Sequence, residues 1–72
     1  MELRWENDPI IKVKIENGCA LISANRSGLL SLAEHLTELA KQDKGAHIHY
    51  DEYNSLEDGS DELIIERIDE KE

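Results

Sequence analysis

The chain of 72 residues contains one cysteine, one proline, no phenylalanine and only three aromatic side chains. Because Cys19 has no second cysteine to pair with, an intramolecular disulfide is excluded, and we interpret Cys19 as a small hydrophobic residue buried in a strand. No stretch approaches the ~20 apolar residues that cross a bilayer, and the start of the chain lacks the apolar run of a secretory signal. We therefore expect a cytoplasmic protein.

The short length limits the core. We expect a single domain over residues 1–72, and a chain of this size buries only about 60% of its unfolded surface. With no disulfide to reinforce it, such a domain is marginally stable, so we expect help from self-association or from a partner.

Basic side chains are few near the C-terminus, and the negative charge is concentrated there. Residues 1–50 contain seven acidic and six basic side chains, whereas residues 51–72 contain ten acidic and two basic, so charges of −1 and −8 sum to the net −9. Such a block repels phosphate backbones and anionic lipid and attracts basic surfaces. Nucleic acid and membranes are therefore disfavoured as partners and a basic protein is favoured, although the same charge also suits a surface that serves only solubility.

Hydrophobic periodicity predicts four strands and one helix. Alternating apolar side chains on both sides of Asn17-Gly18 indicate a hairpin, because this dipeptide favours the positive φ angles of a tight turn. Farther on, apolar residues at spacings of three and four indicate a helix that Asn25 or Ser27 can cap. The predicted elements are strands at residues 10–16, 19–24, 46–52 and 62–68 and a helix at 27–42, with an optional short strand at Leu3–Glu6 and a frayed acidic tail at 69–72.

The order strand–strand–helix–strand–strand predicts an α+β fold, in which one helix packs on one face of a four-stranded, mainly antiparallel sheet. One helix cannot cover both faces of such a sheet. The other face is then open to solvent or to a partner, and a second copy of the chain is one candidate partner.

His47, His49 and Asp51 form the one constellation with a candidate chemistry, because they alternate along the third predicted strand and project from one face. Imidazole and carboxylate groups bind zinc and related metals or act as general acid and base. Alternate residues of one strand lie about 6–7 Å apart, too far to meet one ion without a bulge. The alternatives are a metal site and, favoured, a polar sheet face whose histidines hydrogen-bond across strands or touch a partner. No nucleophile stands beside a base, so we expect neither enzyme activity nor a cofactor.

The aromatic and isolated apolar side chains allow two interpretations. Trp5, Tyr50 and Tyr53 either fill the core or anchor a partner, and Leu56, alone in a charged loop, either packs back or meets a partner. A partner-binding surface would join the loop at residues 54–62 to the face that carries the histidines. The predicted partner-binding residues are His47, His49, Asp51, Tyr53, Leu56, Glu57, Asp58, Asp61 and Glu62.

Three stretches of the chain resemble, in this order, segments of a known protein family: Asn25–Leu36, His47–Asp51 and Ser60–Ile65. The first resembles the start of the helix in the immunity protein 32 family of bacterial polymorphic-toxin systems, and the other two resemble the strands that follow it. The resemblance extends over about residues 10–68. It implies a small intracellular protein that neutralises a toxin by binding it, and it carries over no metal-binding or catalytic residues.

Overall fold

A computed structural model describes residues 1–70 of the chain. It contains the predicted elements in the predicted order, so the α+β class with one helix is confirmed. Of the tail predicted at 69–72, residues 69–70 form no helix or strand, and residues 71–72 lie outside the described part. The elements are β1 (Ile11–Glu16), β2 (Cys19–Ala24), α1 (Arg26–Ala40), β3 (His47–Tyr50) and β4 (Leu63–Glu66).

The prediction of a single four-stranded sheet is wrong. Within residues 1–70, β1 pairs antiparallel with β2 and β3 pairs antiparallel with β4, which gives two separate two-stranded sheets. We refer to β1–β2 as the first hairpin and to β3–β4 as the second sheet. β3 and β4 are also shorter than predicted, at four residues each.

The outer edge of β1 is occupied by the segment that connects β3 to β4, residues 51–62, which we term the acidic segment. The N–H groups of Glu57 and Asp61 donate to the carbonyl oxygens of Ile11 and Val13, both at 2.9 Å. The acidic segment therefore lies where the prediction places a neighbouring strand, and neither β3 nor β4 pairs with β1.

Side chains of the acidic segment complete the contact with β1. The N–H of Val13 donates to the Ser60 hydroxyl oxygen at 3.2 Å, and the N–H of Ile15 donates to the Asp61 carboxylate at 2.7 Å. Because side chains replace backbone acceptors at these positions, the edge is covered without a regular ladder of strand hydrogen bonds.

The turn of the first hairpin follows from its sequence. Asn17 and Gly18 adopt φ angles of 52° and 75°, which produce the tight turn that matches the twist of the strands. The Glu16–Cys19 pair closes the hairpin, and alternation places the cysteine side chain on the face opposite buried Ile11. Cys19 is therefore exposed, and its predicted burial is wrong.

The helix approaches the first hairpin closely at Gly28. Asn25 caps the helix, and its side-chain oxygen accepts hydrogen bonds from the N–H groups of Gly28 at 2.7 Å and Ile10 at 3.0 Å. A Cβ atom at position 28 would lie 2.5 Å from the Ile10 carbonyl oxygen and 3.1 Å from the Ala24 Cβ. A side chain at position 28 would force the helix away from the hairpin, so glycine sets their spacing.

The core joins the helix, both sheets and the acidic segment. Tyr50 is 1% exposed and Leu56 is 5% exposed, so both fill the core, which decides between the two interpretations of each residue. The buried apolar residues are Ile11, Val13, Leu32, Leu39, Ile48, Tyr50 and Leu56.

A polar contact inside the core connects the second sheet to the helix. His35 is fully buried, with Nε2 2.7 Å from the Arg4 carbonyl oxygen and Nδ1 2.8 Å from the Tyr50 hydroxyl oxygen. A carbonyl oxygen only accepts, so Nε2 carries a hydrogen, and the tautomer with its hydrogen on Nε2 leaves Nδ1 to accept from the Tyr50 hydroxyl. The Trp5 ring packs edge-on against His35 at 4.4 Å between centroids.

The N-terminal residues lie against the helix and form no strand, so the optional strand at Leu3–Glu6 is wrong. The Glu6 N–H donates to the Ser31 hydroxyl oxygen at 2.8 Å, and the Arg4 carbonyl oxygen accepts from His35. These backbone groups find their partners on helix side chains, which removes the need for a neighbouring strand.

Candidate protein-binding surface

The acidic segment carries six acidic and no basic side chains in twelve residues. Three of the six carboxylates hydrogen-bond to backbone N–H groups. Asp51 accepts from two of them at 2.9 and 3.0 Å, Glu52 from one at 2.8 Å and Asp61 from one at 2.7 Å. Asp51 and Glu52 hold the shape of the segment and Asp61 attaches it to Ile15 of β1, since a carboxylate is a strong acceptor for an N–H group.

The other acidic side chains of the segment face solvent. Glu57, Asp58 and Glu62 are exposed, and Tyr53 of the same segment is 91% exposed. A backbone that is already held by hydrogen bonds loses little conformational freedom when such side chains meet a partner. Leu56 lies in the core instead, so it is not available to a partner and we remove it from the predicted surface.

The outer face of the second sheet carries both histidines that β3 contributes. His47 and His49 project from the same face of the strand, and their ring centroids lie 4.9 Å apart. The Nδ1 atom of His47 donates to the Gly45 carbonyl oxygen at 3.0 Å. The Nδ1 atom of His49 lies 3.7 Å from the Glu62 carboxylate, which joins this face to the acidic segment.

Asp51 does not join the histidines as a third metal ligand. β3 ends at Tyr50, and the Asp51 carboxylate turns back to the N–H groups of Tyr53 and Asn54. In the described part of the chain, no three histidine, cysteine or acidic side chains lie in an arrangement that could hold a metal ion. The geometry therefore lends no support to the metal alternative.

Two further side chains belong to this face, and the sequence analysis missed them. The register of the second sheet places Ile64 opposite His49 and Glu66 opposite His47, and both residues are exposed. The alternation of β4 is visible in the sequence. It does not tell which alternate set shares a face with the histidines, because that depends on the pairing register.

Two groups with shifted pKa values lie outside this surface. Burial raises the pKa of Tyr50 to about 12. The pKa of Glu6 is raised, first because its carboxyl group hydrogen-bonds with that of Glu34 and second because the two negative charges repel. Neither Tyr50 nor Glu6 belongs to the acidic segment or to the outer face of the second sheet, so these shifts describe the packing of the fold.

Comparison with known families identifies the chain. The model of the family described as immunity protein 32 matches residues 20–68, which is more than half of the chain. The chain belongs to the immunity protein 32 family. The resemblance in the sequence is thereby confirmed. No curated protein and no solved structure matches the chain.

The matched region contains β2 from Ala20 onward, the helix, the second sheet and the whole acidic segment. The family assignment supports an immunity role. None of the helices in residues 1–70 has the length and apolar character needed to span a bilayer.

Proposed function

We propose that this immunity protein neutralises a basic protein toxin by binding it through the acidic segment and the outer face of the second sheet. The observation that carries the proposal is that some carboxylates of the acidic segment hydrogen-bond to the backbone while others face solvent. Asp51 and Glu52 hold its backbone and Asp61 attaches it to β1. Glu57 and Asp58 project negative charge into solvent. Binding alone blocks a toxin, so the immunity protein needs no reaction and no cofactor of its own.

The electrostatics suit a cationic partner. Six carboxylates in a segment that contains no lysine or arginine create a negative field that speeds encounter with a basic surface and weakens as salt is added. A toxin that acts on a phosphate-bearing substrate needs a basic cleft. The carboxylates of the acidic segment would occupy such a cleft in place of the substrate.

Tyr53 supplies the anchor that charge alone lacks. Its side chain is 91% exposed near the start of the acidic segment. Tyrosine is enriched among the residues that dominate interface energy, because a large rigid ring loses little entropy on burial. We therefore place Tyr53 at the centre of the interface, with Glu57, Asp58, Glu62, His47 and His49 around it.

Isothermal titration with the product of the adjacent toxin gene tests the proposal. The test variant combines Glu57→Gln, Asp58→Asn and Glu62→Gln, which removes three exposed charges and leaves the three structural carboxylates in place. We expect its dissociation constant to be at least about 10-fold weaker than that of the wild type, and Tyr53→Ala to lose a similar factor.

A matched control separates local binding from net charge. Glu2→Gln, Glu16→Gln and Asp43→Asn remove the same number of charges from exposed positions outside the proposed surface. We expect this control to change the dissociation constant less than about threefold. Equal losses for both triple variants would contradict the proposed surface, and the absence of binding to any adjacent toxin would contradict the proposed function itself.

A further inference from the structure

β2 has an outer edge that no other strand covers within residues 1–70. In a hairpin with a two-residue turn, backbone groups alternate in direction, so those of Ala20, Ile22 and Ala24 point away from β1. β1 shows the complementary alternation, because its groups at positions 11, 13 and 15 are the ones bonded by the acidic segment. The outer edge of β2 therefore presents a row of N–H and C=O groups that is ready to pair.

β2 also lacks the features that protect an edge strand. It has the sequence Cys-Ala-Leu-Ile-Ser-Ala, with no charged residue and no proline, and five of its six residues are exposed. Edge strands of soluble proteins are usually blocked by lysine, proline or a bulge, or are covered by another segment. The edge of β1 is covered by the acidic segment, whereas among residues 1–70 no segment hydrogen-bonds to the outer edge of β2 and no residue of β2 blocks it.

The charge distribution favours a second copy of the chain as the occupant of this edge. Residues 9–33 hold three basic side chains and one acidic side chain, in a chain that has eight basic and seventeen acidic in total. A basic toxin finds little negative charge here. Two copies with a net charge of −9 each repel least where they meet through this part of the surface, and an uncharged strand that pairs with itself places no like charges opposite each other.

We propose that two copies pair antiparallel through β2 and form a four-stranded sheet in the order β1–β2–β2–β1. In the register where Ile22 lies opposite Ile22 of the second copy, Ala20 lies opposite Ala24. The backbone groups of all three residues that point away from β1 then find partners. A two-stranded sheet is marginal alone, and four strands give a small domain more buried surface. The dimer leaves the acidic segment free at the opposite edge of each hairpin, so the inference does not depend on the proposed function.

Sedimentation equilibrium of the full chain, at concentrations up to about 1 mM, tests the pairing with Ala20→Pro. Proline at position 20 removes an N–H that points outward, so it leaves the bonds to β1 intact and is compatible with an edge strand. We expect the wild type to form a dimer and Ala20→Pro to weaken it at least about 10-fold. Ala20→Ser keeps the N–H and is the matched control. We expect it to dimerise as the wild type does.

A second pair of variants decides the result even if Ala20→Pro unfolds. Leu21→Lys places a charge on the exposed edge strand, and Leu36→Lys places the same charge at an exposed position of the helix. We expect only Leu21→Lys to abolish the dimer. A wild type that stays monomeric, or edge variants that dimerise as the wild type does, would overturn the proposal. The proposal would also be overturned if the wild type were monomeric and Ala20→Pro lost toxin binding, because the edge of β2 would then bind the toxin.

Salt distinguishes the two interfaces. Raising NaCl from about 50 mM to about 500 mM screens repulsion between the acidic copies, so we expect the dimer to tighten, whereas binding of a toxin to the acidic segment should weaken. A dimer that dissociates as salt is added would contradict pairing through the uncharged edge. Failure of toxin binding would leave this measurement unaffected.

Discussion

The first hairpin and the second sheet are attached to the same helix by different means. The first hairpin meets the helix at Gly28, where the lack of a side chain lets the backbones approach, and it carries a single acidic residue, Glu16. The second sheet is attached through the hydrogen bond between His35 and Tyr50, and the loop between its strands is the acidic segment. The first hairpin, which carries little negative charge, is thus attached by close steric fit. The second sheet, which belongs to the surface that we propose for toxin binding, is attached by a polar contact.

Breaking the attachment of the second sheet should have the largest effect on stability. His35→Ala removes one buried and one partly buried hydrogen bond, leaves the Tyr50 hydroxyl and the Arg4 carbonyl without the histidine, and opens a cavity. We expect the free energy of unfolding in urea to fall by about 3 kcal/mol. His47→Ala, at an exposed histidine, should change it by less than about 0.5 kcal/mol. Similar values for both variants would show that the polar contact does not hold the second sheet.

Breaking the attachment of the first hairpin should have a smaller effect. Helix propensity alone predicts that Gly28→Ala stabilises the protein by up to about 1 kcal/mol. The added Cβ would lie 2.5 Å from the Ile10 carbonyl oxygen, and overpacking of this kind should outweigh the gain and lower the free energy of unfolding by about 2 kcal/mol. Arg26→Ala, at an exposed position in the first turn of the helix, serves as the control. An increase in stability for Gly28→Ala would contradict the close contact.

Alkaline pH should sharpen the comparison with the smallest effect, because it acts on the second sheet through the buried hydroxyl of Tyr50. The pKa of Tyr50 is about 12 in the folded protein, against an ordinary value of 10.0. Between these values the unfolded chain loses a proton that the folded protein keeps, so the stability from this group is complete below pH 10 and falls as the pH rises toward 12. At about pH 11, one unit above the ordinary value, we expect a loss of up to about 1.4 kcal/mol.

Two tyrosine variants test this pH dependence in urea unfolding experiments. Tyr50→Phe removes the buried hydroxyl and should flatten the fall in stability between about pH 10 and 12. Tyr53→Phe removes an exposed hydroxyl and should leave the fall as it is in the wild type. A steep fall that persists in Tyr50→Phe would assign it to other groups.

Local patterns predict the elements of this fold but not their assembly. The sequence predicts β2 to the residue, because Asn17-Gly18 determines where both strands of the first hairpin meet the turn. The single sheet is wrong because the outer edge of β1 is covered partly by the side chains of Ser60 and Asp61. A loop that covers an edge in this way has no periodicity, so it cannot be distinguished in the sequence from a loop that only connects two strands.

The candidate surface could be predicted as a region and not as a set of residues. Its negative charge is visible from composition, but composition does not show which carboxylates bond to the backbone, as Asp51 and Asp61 do. Leu56 and His35 are buried by contacts between elements that are distant in the sequence. Such contacts are long-range, and neither periodicity nor spacing along the chain reveals them.

Two N–H groups of β1 donate to side chains of the acidic segment, so hydrogen exchange at β1 reports whether that segment is in place. The amide hydrogens of Val13 and Ile15 are held by Ser60 and Asp61, so their exchange with deuterated solvent is slow only while the acidic segment stays in place. The exchange rates of these two amide hydrogens would therefore report the opening of the acidic segment without any label attached to that segment. A ligand that clamps the acidic segment would slow the exchange of a strand that it never touches.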